Sequence, residues 1–216
     1  MADQPAIERA LASLHWLGHD CFRLDSSAGP VYFDPFQLAG GPTAALILAS
    51  HDHFDHCVAE DIAKIRGPKT VIVTEPACAA KLGGAGVMTL KPGQTVEAAG
   101  CRVSGVPAYN TDKQFHPQKN AWLGFVLAVD GVTIYHAGDT DFIPEMKGLD
   151  VDIALLPVSG TYVMTAAEAV QAALAINPRV AVPMHYGAIV GEDSDAQAFA
   201  AALAGKVPVR VLAKEA

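Results

Sequence analysis

An α/β fold built of layered sheets and helices is what this 216-residue sequence predicts, with periodicity alone leaving the exact stacking open. Three observations lead there. Short apolar runs of strand length recur along the whole chain, bounded by Gly and Pro. Helical segments with recognisable start and stop signals separate several of them. Both halves of the chain mix meandering strands with a few helices, so two stacked sheets would bury both sets of apolar runs. No linker or low-complexity stretch divides the sequence, which predicts a single domain over residues 1–216. At 51% hydrophobic and 18% charged residues it has the composition of a well-packed globular chain.

The elements follow in order. Residues 13–24 and 31–34 read as strands around a turn at 26–30, where Ser-Ser-Ala-Gly-Pro stands. The apolar run 44–50 reads as a buried strand. A helix over 58–66 is stopped by Gly67-Pro68, a strand covers 70–73, and a short helix over 76–82 ends at Gly83-Gly84. Strands dominate 87–107, with turns at Pro92-Gly93 and Gly100. Residues 108–120 form the longest polar loop, and loops of that length inside a compact domain tend to be functional. Strands at 121–129 and 132–137 flank Asp130-Gly131, a hairpin signal. A buried strand over 153–158 precedes Thr165-Ala166-Ala167-Glu168, a capping box that opens a helix to about Ile176. Strand 179–184, helix 194–203 and a last strand over 207–212 complete the chain.

The bulk numbers exclude some functions. A net charge of -8 argues against a nucleic-acid footprint and against anionic membrane surfaces. No run is long enough to span a bilayer, and the N-terminus lacks a charged region followed by an apolar one. Cys21, Cys57, Cys78 and Cys101 show no paired spacing and read as free thiols of a reducing compartment. The expectation is a cytoplasmic protein acting on a small molecule, with homo-oligomers open.

The chemistry is concentrated in Ser50-His51-Asp52-His53-Phe54-Asp55-His56, directly after a buried strand. Imidazole plus carboxylate at this density is first-row metal chemistry. His51 and His53, two apart in extended chain, point the same way and can share one metal. Asp55 and His56 fall just past the turn, within reach of a second. Asp139 and His185 each follow an apolar strand, and strand ends are where sheets of this kind gather their sites. Tyr162, shortly after strand 153–158, is placed either to meet substrate or simply to pack. His136 lies inside a strand and reads as core, and His15 as structural. Lys113 and Lys119 flank His116 and read as solvated loop charges, as Cys57 reads as a small buried residue.

His51-x-His53-x-Asp55-His56, with Asp139 after a strand and a glycine and with His185, resembles the signature of metallo-β-lactamase-fold hydrolases, and the resemblance covers nearly the whole chain. Trp16-Leu17-Gly18-His19, Tyr32-Phe33-Asp34-Pro35 and Tyr135-His136-Ala137-Gly138-Asp139-Thr140 are similar to one branch. That branch includes ascorbate-phosphate lactonases and N-acyl-phosphatidylethanolamine phospholipases D. The resemblance implies a four-layer αββα sandwich with its site at one edge between the sheets. It implies His51, His53 and a third histidine on one metal, Asp55, His56 and His185 on the other, and Asp139 bridging. It implies that His19 lies near the site, either behind the ligands or in a purely structural hydrogen bond, and Asp34 reads as orienting the motif loop through hydrogen bonds. The family pattern departs at Val106-Pro107-Ala108-Tyr109-Asn110, where Asn110 stands in place of the third histidine; His116, in the same loop, is the expected substitute.

The expected function is metal-dependent hydrolysis of an ester-type substrate: a lactone, a phosphodiester or a thioester. Two cations, zinc first and manganese or iron otherwise, would supply hydroxide near neutral pH, with Asp55 as the catalytic residue that orients it. No Gly-x-Ser-x-Gly elbow and no phosphate-binding Gly-Lys-Ser/Thr loop occurs. A di-iron oxidoreductase on the same fold is the rival, and by resemblance such proteins carry a glutamate where His53 stands. A non-catalytic metal-binding protein is the third reading.

Overall fold

The computed structural model of the chain describes residues 2–215. Two six-stranded sheets carry the fold, and the same plan is used twice. The first sheet holds β1 (Leu14–Gly18), β2 (Cys21–Ser26), β3 (Gly29–Phe33), β4 (Leu46–Ala49), β5 (Val71–Thr74) and β6 (Val87–Thr89), in that order. β1 to β3 form an antiparallel meander, and β3 to β6 run parallel. The second sheet holds β7 (Thr95–Ala98), β8 (Cys101–Pro107), β9 (Leu123–Val129), β10 (Val132–His136), β11 (Ile153–Pro157) and β12 (Val180–Met184). It is antiparallel to β10 and parallel from β10 to β12.

Parallel neighbours need crossovers, and helices supply three of them: α2 (Ala59–Ile65) joins β4 to β5, α3 (Pro76–Leu82) joins β5 to β6 and α4 (Ala166–Ile176) joins β11 to β12. Loops make the β3–β4 and β10–β11 crossovers, the latter with one 3-10 turn at Pro144–Met146, and α5 (Asp193–Leu203) follows β12. The period-2 pattern of the strands shows how the layers stack. Val31, Phe33, Leu46 and Leu48 join Phe125, Leu127 and Ile134 of the other sheet in one core. Tyr32 and Ile47, on the opposite face, pack with Ile62 and Ile65 of α2. Phe199 and Leu203 of α5 and Ile176 of α4 are buried with the second sheet. This is the expected αββα sandwich. Local signals hold the ends: Thr165 and Glu168 form the capping box of α4, and Asn177 closes that helix with φ 53°. Asp130 and Gly131 take φ 52° and 76°, as a two-residue hairpin turn requires.

Three expectations change. The strand read over 13–24 is a hairpin, β1 and β2, folded at Gly18-His19-Asp20. An additional helix, α1 (Gln4–Ala12), precedes it, capped by Asp3 and opened by Pro5; it packs Ile7 and Leu11 into the core. Residues 207–212 form no ladder. They run beside β12 through a single bridge, Ala181 with Val209, because Pro208 lacks the N–H a ladder needs.

The sandwich is drawn shut at the edge where the parallel strands end. Leu123 N–H donates to the Ser50 carbonyl (3.1 Å), and His185 N–H to that of His19 (3.1 Å), so backbone bonds cross between sheets. His136, expected in the core, is there: it stacks on Phe33 with ring centroids 5.1 Å apart and donates from Nε2 to the Asp20 carbonyl (2.9 Å).

Gly124 in β9 fixes how closely β10 approaches. A Cβ there would stand 2.7 Å from the Ala137 carbonyl oxygen and 2.9 Å from that of His136. Gly124→Ala is therefore expected to destabilise the fold by about 1–3 kcal/mol, the ordinary cost of overpacking. A denaturant midpoint equal to that of the parent would refute the close approach.

Candidate metal centre

Five strand ends converge on one edge. β3 delivers Asp34, β4 delivers Ser50 and His51, β10 leads to Asp139, β11 to Ser159 and β12 to His185. The 108–122 loop after β8 brings Asn110 and His116 to the same place. Asp139 lies at the focus. His56 Nε2 and His185 Nε2 each stand 3.4 Å from its Oδ1, and His116 Nε2 stands 3.1 Å from its Oδ2. None of the three nitrogens, nor Asp139 Oδ1, makes a hydrogen bond, and all are buried.

Among the described residues four groups of ligand-type atoms lie close enough to share an ion, and two of them face each other across Asp139 and His116. His51, His53 and His116 form the first; Asp20, His56, Asp139 and His185 form the second, and His19 with His56 and His185, and Asp20 with Asp34 and His136, are overlapping groups behind it. Buried polar atoms that converge without partners are costly unless a cation satisfies them. The residues present therefore fit a metal at both groups.

The far side of each imidazole explains why the near side is free. Asp34 accepts from Ser50 N–H (2.7 Å), Ser50 Oγ (2.7 Å) and His56 Nδ1 (2.8 Å). Ser50 spends its proton on Asp34, so its oxygen accepts from His51 Nδ1 at 2.9 Å. His116 Nδ1 faces two acceptors, Asn110 Oδ1 (3.2 Å) and the Tyr162 carbonyl (3.3 Å). Ser159 Oγ lies 2.8 Å from His185 Nδ1. With Nδ1 occupied, Nε2 of each ring is turned inward, the arrangement outer hydrogen bonds give to metal-binding histidines. His53 differs, presenting Nδ1 to His51 Nε2 at 3.0 Å.

The choice between Asn110 and His116 is geometric. The Asn110 amide oxygen accepts from His116 N–H (2.9 Å) and faces its ring, while its Nδ2 donates to Asp141 and to the Tyr162 carbonyl. Those bonds occupy the amide, whereas His116 Nε2 has no hydrogen bond and lies with His51 and His53 as a candidate ligand group. Asp55 donates neither oxygen to the four-residue second group. Its Oδ2 accepts from His19 Nε2 at 3.1 Å and its Oδ1 lies 3.8 Å from His56 Nε2. His19 itself sits beside His185, ring centroids 4.1 Å apart, with a left-handed backbone at φ 54°. His185 is also left-handed, at φ 60°. Such backbones in bulky residues cost free energy and collect at functional sites.

Asp20 escaped the sequence reading. It is fully buried and neither of its carboxylate oxygens has a hydrogen-bond partner. It sits in the turn of a hairpin that the apolar run 13–24 concealed. Ser50, Ser159 and Asp141 are the other residues the sequence left without a role. Lys113, expected as a solvated loop charge, is instead largely shielded, because the buried Asp141 (2.7 Å) and Asp112 (2.9 Å) hold its ammonium.

Electrostatics follow burial and pairing. Burial opposes charge on His185, but the Asp139 carboxylate prevails and pushes the imidazole up to about 9. His56 is raised in the same way, by Asp139 and Asp34 against burial. His51 and His53 are lowered by burial and by neighbouring imidazoles. Burial takes His19 down to about 4. Burial would raise Asp55, yet its bond from His19 and the charge of His56 leave it lowered, and so ionised. Burial holds Asp20 well above the carboxylate range.

Comparison with known proteins identifies the family. Residues 13–185 match the sequence profile of the beta-lactamase superfamily domain. The chain is 36% identical to a UPF0173 metal-dependent hydrolase of Thermoplasma acidophilum, over 93% of this chain and 94% of that protein. A solved structure from Parabacteroides distasonis is 33% identical, covers 92% of this chain and 91% of its own, and superposes with a TM-score of 0.83. Igni18, a metallo hydrolase of Ignicoccus hospitalis, shares the fold at 24% identity and a TM-score of 0.75, over 94% of this chain and 95% of its own. The chain belongs to the metallo-β-lactamase superfamily and, within it, to the UPF0173 metal-dependent hydrolase family.

Proposed function

We propose that the protein is a two-metal hydrolase of ester-type substrates. The observation that carries this is the convergence of three unpartnered imidazole nitrogens on the buried Asp139. His51, His53 and His116 would hold one cation, and His56, His185 and Asp20 the other, with Asp139 between them. The three-nitrogen group suits zinc, and the carboxylate-richer group suits zinc, manganese or iron. When bound, the cations lower the pKa of water toward neutrality and draw negative charge from the oxygen of the scissile group.

The chain's own residues do the rest. Asp55, kept ionised by its bond from His19, accepts a hydrogen bond from the attacking water and orients it. Asp34, Ser50 and Ser159 fix the ring tautomers from behind. Tyr162 stands in the cavity wall, where it meets the substrate. The substrate is a small molecule, since a net charge of -8 disfavours polyanions, and the expected compartment is the cytoplasm.

Metal analysis of the full chain tests this directly: two equivalents per chain, with hydrolysis of at least one of a lactone, a thioester or a phosphodiester. His116→Ala is expected to lose one equivalent. Asn110→Ala should keep both while weakening one by about 10–100-fold, as removal of an outer hydrogen bond does. Loss of an equivalent in the Asn110 variant but not in the His116 variant would reverse the assignment. Asp20→Asn, which keeps the shape and removes the charge, should weaken the second equivalent selectively; unchanged affinities for both would remove Asp20 from the ligand set.

The histidine shifts give a pH signature. His185 has a folded pKa of about 9 against 6.5 unfolded, so its contribution to the chelated protein is complete below about pH 6.5 and lost as pH rises through about 9. His56 and Asp20, also raised, act with the same sign. The melting temperature of chelated protein is expected to fall from pH 6.5 to 9. The gain on adding zinc should grow over that range, because the cation displaces those protons. A chelated protein that melts higher at pH 9 than at pH 6.5 contradicts the pairing with Asp139.

A further inference from the structure

We infer that the substrate is a carboxylic ester, lactone or thioester whose acyl group is uncharged and apolar, seated on Phe54, Phe115 and Ile189. This rests on the hydrolase reading above and names the substrate class for that same site. Above the metal-binding residues opens a cavity of about 300 Å³, walled by His53, Asp55, His116, Asp139 and Tyr162 and rimmed by those three side chains. That volume suits a small ligand.

Among the described residues the exposed large hydrophobics are Phe54, Phe115, Leu174, Ile189 and Val211. Three of the five rim this one cavity, although they come from three separate loops. Phe54 is 70% exposed and Phe115 50%. Exposed apolar side chains gathered at one place mark a surface that meets an apolar partner. Phe115 is also braced, edge to face, against Tyr162 with ring centroids 4.8 Å apart, so the wall is preformed.

Charge narrows the class further. No lysine or arginine lines the cavity, and its charged walls are the carboxylates Asp55 and Asp139. Lys113, in the loop that carries Phe115, is spent on Asp141 and Asp112. Nothing in the walls would favour a phosphate or carboxylate on the far part of the substrate. In the reaction, the water oxygen bonds to the acyl carbon and the C–O or C–S bond breaks. The electron pair of that bond leaves with the alcohol or thiol, which takes up a proton from the water, and the acid remains.

Two measurements on the metal-loaded full chain test the inference. Straight-chain alkyl hydroxamates, from acetyl to octanoyl, read the acyl pocket by calorimetry without turnover. Affinity is expected to rise by roughly two- to fourfold per methylene over the first few carbons. p-Nitrophenyl acetate, butyrate and hexanoate should show the same order in kcat/KM. Phe54→Ala and Phe115→Ala should each flatten that order at least fivefold, with two metal equivalents retained. Phe54→Leu, which keeps apolar bulk, should restore most of it. A flat hydroxamate series, or a preference for bis(p-nitrophenyl) phosphate over every acyl ester, overturns the apolar acyl class and leaves the hydrolase reading intact. Variants that change the oligomeric state in gel filtration but not the chain-length dependence overturn it too, and assign the rim to a copy-to-copy contact. A protein that takes up no metal fails at the earlier step, and the two failures are told apart by metal content.

Discussion

The carboxylate of Asp139 is the constraint around which this molecule is arranged. It is nearly out of reach of water, within 3.4 Å of three imidazole nitrogens, and its Oδ1 has no hydrogen bond. Gly138 puts it there. With φ 61°, that residue turns the chain at the end of β10, where a Cβ would press to 2.8 Å from the Leu123 carbonyl oxygen and 3.2 Å from Ser50. Both sheets therefore meet at the residue before this carboxylate. Without a cation the cluster is held by protons on His56 and His185. Under the proposed function the same groups would be ligands, so metal affinity and folding stability would draw on the same residues.

A second layer makes the first usable. A histidine binds metal through a lone pair, and which nitrogen keeps it depends on what the other nitrogen meets. Here the order of donation starts at Asp34. Its two oxygens receive Ser50 N–H, Ser50 Oγ and His56 Nδ1, and the hydroxyl so committed can only accept from His51. One buried carboxylate thus sets the tautomer of one ring in each metal group. Its own left-handed backbone, φ 40°, is held by Asp34 N–H donating to the Leu48 carbonyl at 2.9 Å, across the parallel pair β3 and β4. Sheet register and ring orientation are in this way one structure.

Much of this was legible in the sequence, for a physical reason. Strand ends are local features, and a ligand-type residue placed directly after an apolar run can be read without knowing the fold. That is why His51, Asp139 and His185 stood out. The sandwich itself followed from alternation of strands and helices, with the resemblance supplying its exact layering. What escaped depends on tertiary contact. Asp20 was hidden because Trp16 to Leu24 is apolar on both sides of a turn whose left-handed corner is a histidine instead of a second glycine. Asn110 and His116 could not be ranked from spacing, since the decision is made by acceptors on Tyr162 and Asp141, far along the chain. Residues 207–212 have strand-like composition, yet Pro208 limits them to a bridge.

The floor of the site is polar and its rim apolar, and one short segment ties them together. Two residues after Asp139, Asp141 is buried and accepts from Thr111 N–H (2.8 Å), Asn110 Nδ2 (3.1 Å) and Lys113 Nζ (2.7 Å). Asp141 N–H in turn donates to the Tyr109 carbonyl (3.0 Å). These bonds pin the 108–122 loop to the strand end that carries Asp139. The loop places His116 against Asp139 and its neighbour Phe115 on the rim, so in the proposed reading adjacent residues serve chemistry and selectivity. A side chain that repositions Phe115 must also move His116 unless the Asp141 anchor absorbs the shift. The ion pair with Lys113 is mostly shielded, its ammonium nitrogen placed on a carboxylate that already holds two other donors, which makes the anchor stiff. Selectivity in this fold is therefore freest to drift at Ile189, and is confined at Phe115 by its neighbour His116 and at Phe54 by its neighbours His53 and Asp55.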